Sequence, residues 1–138
     1  MVVYFTSEAT AKNGRDGHVK SNDGIIDLDL KMPKRNETPT GSNPEQLFAA
    51  AYSACYDGAL NLVAKNENET IDSTVTAKVS LVKDEADNGF KIAVTLEVEV
   101  KGVSQDVAEQ LTAKAHQTCP YSKATRGNVD VNIVTKAI

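Results

Sequence analysis

Positive charge, cysteine and long apolar runs are all scarce in this chain, and each shortage removes a class of function. Fifteen Lys and Arg against nineteen Asp and Glu leave a net charge of −4 and a pI near 5.1. Nucleic acid and anionic membrane surfaces both select basic patches, so neither is expected as a partner. The longest apolar run is a few residues, far short of a membrane-spanning helix. The start, Met1-Val2-Val3-Tyr4-Phe5, has neither the cationic head nor the small-residue cleavage site of a signal peptide. Without a secretory signal the sequons at Asn36 and Asn68 carry no meaning, and the expected location is cytoplasmic. Cysteine occurs twice, at Cys55 and Cys119. In a reducing cytosol such a pair is more often catalytic than structural. No Cys-x-x-Cys pair accompanies His18 or His116, and His116 with Cys119 is a lone pair at helical spacing, so no metal site is expected.

What the chain does have fits one α+β domain over residues 1–138. At this length roughly 68–70% of the unfolded surface can be buried without disulfide or metal staples. No internal repeat, low-complexity tract or linker interrupts it. Residues 2–5 read as a first strand. After the turn signal Asn22-Asp23-Gly24, Ile26, Leu28, Leu30 and Met32 alternate on one face. A helix then starts where Asn43 can cap and Pro44 suits the first helical position, with Gln46 three residues after the cap, and runs to about Lys65. Val75, Ala77, Val79 and Leu81 resume period two, Asn88-Gly89 marks a hairpin, and Phe90 to Val100 alternate with mostly polar partners. A helix capped by Ser104 stops before Pro120, and Val129, Val131 and Ile133 form a last strand.

The helix from Pro44 is apolar in nearly every direction: Leu47, Phe48, Ala50, Ala51, Tyr52, Ala54, Cys55, Ala59, Leu60, Leu62 and Val63 do not keep to one stripe. A helix apolar all round must be covered all round. One sheet covers one side. The other side then calls for a second copy of the chain, an intertwined or face-to-face homodimer, unless the helix capped by Ser104 covers it within the monomer.

The two thiols are placed differently. Cys55 lies too far inside its helix to gain from the N-terminal dipole, and apolar burial raises a thiol pKa, so a reactive Cys55 needs an imported cation. Cys119 ends a helix, where partial negative charge disfavours a thiolate, and this casts it as a slower, resolving partner. Arg15, in Asn13-Gly14-Arg15-Asp16-Gly17, is the candidate cation: flanking glycines allow a close approach, and a guanidinium stays charged when desolvated. Glu45 is an acid that could steer it. The alternative is an exposed turn with a solvated arginine.

The strings Asn43-Pro44-Glu45-Gln46-Leu47-Phe48-Ala49-Ala50, with Cys55 ten residues after Glu45, and Cys119-Pro120-Tyr121-Ser122-Lys123-Ala124-Thr125-Arg126-Gly127-Asn128 resemble the OsmC/Ohr family, and within it the organic hydroperoxide resistance branch. Gly14-Arg15-Asp16-Gly17 and Ser21-Asn22-Asp23-Gly24 match its N-terminal part, so the resemblance spans essentially the whole chain. Ala51 and Tyr56 stand where many relatives have glycine and phenylalanine.

The resemblance implies an OsmC-like fold, with antiparallel sheets packed on a central buried helix in an intertwined homodimer, and a cysteine-based peroxidase. It implies Cys55 as the peroxidatic thiol, Cys119 as its disulfide partner, Arg15 as stabiliser of the thiolate and Glu45 as orienter of Arg15. It further implies organic hydroperoxides as substrates and dihydrolipoyl thiols, free or on a lipoylated protein, as external reductant, with no resident cofactor. Phe48, Ala51, Tyr52 and Ala59 are then either an apolar flank for the substrate or ordinary core.

Ten residues of straight helix put Glu45 and Cys55 about 15 Å apart in rise, so each site is expected to combine Cys55 of one subunit with Glu45 of the other unless the helix breaks. Two other classes stay open: a redox-sensing or structural dimer with a slow-forming disulfide, and a general dithiol oxidoreductase. The second would want its sulfurs close in sequence, and these are 64 positions apart.

Overall fold

The computed structural model describes all 138 residues, and they fall into two compact units, Met1–Leu47 and Phe48–Ile138. The first unit is built on a three-stranded antiparallel sheet, β1 (Ala9–Lys12), β2 (His18–Ser21) and β3 (Asp27–Asp29), with β2 in the middle. β1 and β2 are short and mostly polar, so no alternation announces them. The strand expected over residues 2–5 is absent: β1 begins at Ala9, and Val2, Val3, Tyr4 and Phe5 are between 66% and 92% exposed. A strand exists by pairing its amides with a neighbour, and this run finds no ladder in its own chain. The alternating face after Gly24 is likewise open. Leu30 is buried, whereas Ile26, Leu28 and Met32 remain 38–42% exposed.

Helix α1 (Pro44–Asn66) begins at the end of the first unit and continues without a break into the second. Its start follows the sequence signals, since the Gln46 amide donates to Asn43 Oδ1 at 2.8 Å and Pro44 occupies a position that needs no N–H. The second unit adds the long hairpin β4 (Asp72–Lys83) and β5 (Phe90–Lys101), turned at Asn88 with φ 59°. It is completed by α2 (Gln105–Thr118), α3 (Pro120–Thr125) and β6 (Val131–Ala137).

The α+β class stands, but the second sheet is mixed, not antiparallel throughout. β4 and β5 are antiparallel, and β6 lies parallel to β5. The reason is the connection. α2 and α3 carry the chain back along the sheet before β6 starts, and a crossover of that kind delivers a parallel neighbour.

The core of this unit is one face of the sheet under α1 and α2. Val94, Leu96, Val98 and Val100 of β5 meet Tyr52, Tyr56, Leu60 and Val63 of α1 and Ala108, Leu111 and Ala115 of α2, all buried. Full burial of a Leu- or Val-sized side chain contributes about 1.5–3 kcal/mol, so these residues hold the unit together. On α1 the buried set is Tyr52, Tyr56, Ala59, Leu60, Val63 and Ala64. Ala50 and Ala54 are exposed and Leu62 is 51% exposed, so α2 does not cover the remaining side of the helix. No helix is long and apolar enough to cross a membrane.

Candidate thiol site

Cys55 and Cys119 meet in the second unit. Their sulfurs are 3.5 Å apart, both as free thiols. α1 presents Cys55 half-buried, one turn beyond the fully buried Tyr52, while Cys119 has no exposed surface. A disulfide bond is about 2.05 Å long, so closing this pair asks for about 1.5 Å of approach and no refolding.

Cys119 corrects the picture of a thiol at a helix C-terminus. It does cap the end of α2, with its N–H donating to the Ala115 carbonyl, but its extended backbone (φ −61°, ψ 124°) also makes it the N-cap of α3. Its sulfur accepts the Ser122 N–H at 3.5 Å. A free N–H at a helix start favours negative charge, so the local field at Cys119 is set by α3 as well as by α2. Cys55 shares the same turn. Desolvation pushes its thiol above the ordinary value of 9.0, the Tyr121 backbone N–H opposes that shift, and Cys119 adds to it. The expectation that an isolated Cys55 is a poor thiolate therefore holds, with a backbone amide as its local counterweight.

Around the sulfurs runs a buried polar chain that sequence reasoning left out. Tyr52 Oη lies 2.8 Å from Ser122 Oγ and 3.3 Å from Thr125 Oγ1, and His116 Nδ1 lies 2.8 Å from Ser122 Oγ on its other side. Ser122 and Tyr52 are fully buried. One signal could have found it: Cys119-Pro120 reads as N-cap and first helical position, which makes Ser122 the residue whose amide the cap receives. Tyr52 and Ala59 are buried in the core. Phe48 and Ala51 stay half-buried, and the Phe48, Tyr52 and Tyr121 rings cluster with centroids 5.9–6.2 Å apart.

The first unit holds the cation and its acid. The tight turn Gly14–Asp16 joins β1 to β2, with Asn13 and Gly14 both at φ 62°. Arg15 grips Glu45 with both prongs, Nη1 to Oε2 at 2.8 Å and Nη2 to Oε1 at 2.7 Å. Arg15 is thus an exposed turn residue that is nonetheless paired with an acid. Hydrogen bonding to Arg15 holds the Glu45 carboxyl below its ordinary pKa against partial burial, and the same pair raises Arg15. Glu45 also sits in the first turn of α1, where the helix dipole favours an anion. The other histidine stands apart. His18 is held between Asp29 (2.8 Å) and Asp27 (2.5 Å), and these bonds, Asp29 first, raise its pKa.

In sum of chemistry, the second unit offers a thiol with a second thiol in reach and an amide donor on Cys119, and the first offers a guanidinium paired with a carboxylate. Known proteins are similar to this chain along nearly their whole length. The family described as OsmC-like protein matches residues 36–134. The chain is 55% identical over 133 residues to organic hydroperoxide resistance protein OhrB of Bacillus subtilis (strain 168), spanning 96% of this chain and 98% of that one. The crystal structure of the same B. subtilis protein superimposes with a TM-score of 0.92 at 53% identity, covering 97% of this chain and 100% of that one. An organic hydroperoxide resistance protein from Legionella pneumophila gives 0.91 at 43% identity over 98% and 99%. The family match spans the segment that holds both cysteines, and the fold agrees: the chain belongs to the OsmC-like family, in its Ohr branch.

Proposed function

We propose that this protein detoxifies organic hydroperoxides as a two-cysteine peroxidase. The observation that carries the reading is the 3.5 Å separation of Cys55 and Cys119, with Cys55 the accessible and Cys119 the enclosed partner. The role of the relatives named above supports the substrate class. The Cys55 thiolate attacks the distal oxygen of the hydroperoxide. The O–O bond breaks, the alkoxide leaves and takes a proton as the alcohol, and Cys55 becomes a sulfenic acid. Cys119 then attacks Cys55 Sγ, its proton and the sulfenic hydroxyl leave as water, and the disulfide forms. An external dithiol of the dihydrolipoyl class returns both thiols by two exchanges. A reducing, cytoplasmic setting belongs to the same proposal. The reaction uses no resident cofactor.

The thiolate and the departing oxygen need positive charge, and Arg15, steered by Glu45, is assigned to supply it. Because α1 runs unbroken from Pro44 to Asn66, ten residues of rise (about 15 Å) separate Glu45 from Cys55 along it. The proposal therefore places the Arg15–Glu45 pair of one protomer at Cys55 of its partner. Exposed apolar residues support a homodimer: Val2, Val3, Tyr4, Phe5 and Ile25 in the first unit, and Leu62 on α1 in the second, are all more than half exposed.

A second reading has one observation in its favour: burial pushes the Cys55 thiol up, which suits a slow redox-sensing dimer. Peroxide consumption with dihydrolipoamide separates the two. Fast turnover of cumene hydroperoxide in preference to hydrogen peroxide, lost in Cys55→Ser, is the expected result. Equal inertness of wild type and Cys55→Ser would overturn the peroxidase and leave the redox-sensing dimer.

A further inference from the structure

α3 is six residues long, yet the thiol pair leans on it: the Ser122 N–H points to Cys119 Sγ, which lies 3.5 Å from Cys55 Sγ. Something must hold so short a helix in register with two thiols. Part of the hold is aromatic, since the Tyr121 ring lies 6.2 and 5.9 Å from those of Phe48 and Tyr52, while Ser122 and Thr125 are the buried residues of α3. The polar part comes from Tyr52 of α1 and from one residue of α2. His116 Nδ1 bonds Ser122 Oγ at 2.8 Å, and the His116 carbonyl accepts Arg126 Nη2 at 2.6 Å, so the start of α3 and its C-cap are tied to the same residue. Tyr52, three residues before Cys55 on α1, completes the link from the peroxidatic helix.

We propose that His116 is a positioning residue for disulfide closure, acting on Cys119 through Ser122; this rests on the two-cysteine peroxidase reading and names the group that governs its second step. The balance of that step is unchanged. Cys119 Sγ forms the bond to Cys55 Sγ, the sulfenic S–O bond breaks, and water leaves. His116 touches neither sulfur. It sets where the Ser122 amide stands when Cys119 develops negative charge, and a preset donor is worth most at that moment.

The hydrogen-bond direction adds a pH signature. Neutral His116 accepts from the Ser122 hydroxyl, and Ser122 Oγ then accepts from Tyr52. Protonated His116 donates instead, the Ser122 hydroxyl turns to Tyr52, and Tyr52 is left with the longer 3.3 Å contact to Thr125. The imidazole edges a cavity of about 420 Å³ between α2 and β6, lined also by Glu109, Thr112, Gln117, Ile133 and Thr135, through which a proton reaches it. The groups around His116 are Ser122 on α3, Arg126 after it and Glu109 on α2, with no charged side chain of β6 in the cavity wall; Tyr52 of α1 reaches it only through Ser122. Burial, then Arg126, hold the imidazole below its ordinary 6.5, so it is neutral at neutral pH.

The test is a rapid-mixing experiment on the full-length protein with cumene hydroperoxide, reading two events. Sulfenic acid formation is followed in a Cys119→Ser background, and disulfide closure by acid-quench alkylation and mass spectrometry. His116→Leu is expected to slow closure by about ten-fold, the effect of one lost hydrogen bond between polar groups, while sulfenic acid forms at the parent rate. His116→Asn, which keeps a side-chain polar atom, restores closure but loses its acid-side fall below pH 6.5. Ser122→Ala reproduces His116→Leu, and the double variant adds nothing. Closure at the wild-type rate in both His116→Leu and Ser122→Ala overturns the proposal and leaves the peroxidase standing. Absence of sulfenic acid in the Cys119→Ser parent itself overturns the peroxidase reading, and this inference with it.

Discussion

Gly17 is where a single methyl group should disable the proposed cation without touching a sulfur. A Cβ at this position would stand 1.8 Å from the Lys12 carbonyl oxygen and 2.8–2.9 Å from the Lys12 and Asn13 carbonyl carbons, where ordinary contact starts at 3.4 Å. The shortfall at the oxygen is about 1.6 Å, and all three neighbours are backbone, so no side chain can swing away. The turn itself must open. That turn is closed by the Gly17 N–H on the Gly14 carbonyl at 3.1 Å, and Arg15 lies inside it. Its two-pronged grip on Glu45, at 2.7 and 2.8 Å, does not survive a displacement of that size. Misplacing a catalytic group by about 1 Å can cost about a hundred-fold in rate. Gly17→Ala is therefore expected to slow single-turnover oxidation of Cys55 by about 10- to 100-fold, measured by rapid mixing with cumene hydroperoxide. The same substitution in an Arg15→Ala background should add nothing, since the displaced group is already gone. A Gly17→Ala protein with the wild-type rate, or an equal loss in both backgrounds, refutes the assignment of Arg15.

The pH dependence of Cys55 offers an independent reading of the same arginine. Burial raises the thiol above 9.0, so the thiolate fraction, and with it the rate of alkylation by iodoacetamide, climbs with pH. The midpoint is expected above 9.0 in Arg15→Ala and lower in wild type; coincident midpoints would mean that no guanidinium stands at the sulfur. The direction of re-reduction follows from exposure. Cys119 is enclosed and Cys55 is not, so an external thiol should attack Cys55 Sγ and expel Cys119 as the thiolate, toward the Ser122 amide. Oxidised protein treated with one equivalent of a monothiol and acid-quenched should carry the adduct on Cys55 by mass spectrometry, and an adduct on Cys119 would reverse that order.

Local physics made much of this protein legible in one dimension. The start of α1 was fixed by Asn43 and Pro44, whose capping chemistry needs no distant partner, and the 12-residue β5 by a period-two run from Phe90 to Val100. The pairing of Arg15 with Glu45 and of Cys55 with Cys119 was likewise readable, since charge complementarity, scarce cysteines and the two motif strings all pointed to it. What the sequence could not decide is whatever depends on a neighbour brought in from afar. Residues 2–5 have strand composition and no strand, because a ladder requires a partner. β6 runs parallel to β5 because α2 and α3 return the chain first, a matter of connection rather than of Val131 or Ile133. Ser122, unremarkable in a string of small and polar residues, becomes the hub between Tyr52 and His116 only after 70 positions of chain separation are closed. Residue type and short-range spacing thus determined which groups are assigned to the proposed chemistry. Tertiary structure alone decided which amides and hydroxyls stand beside them, because a hydrogen bond is specified by position in space to a few tenths of an ångström and by nothing in the order of the chain.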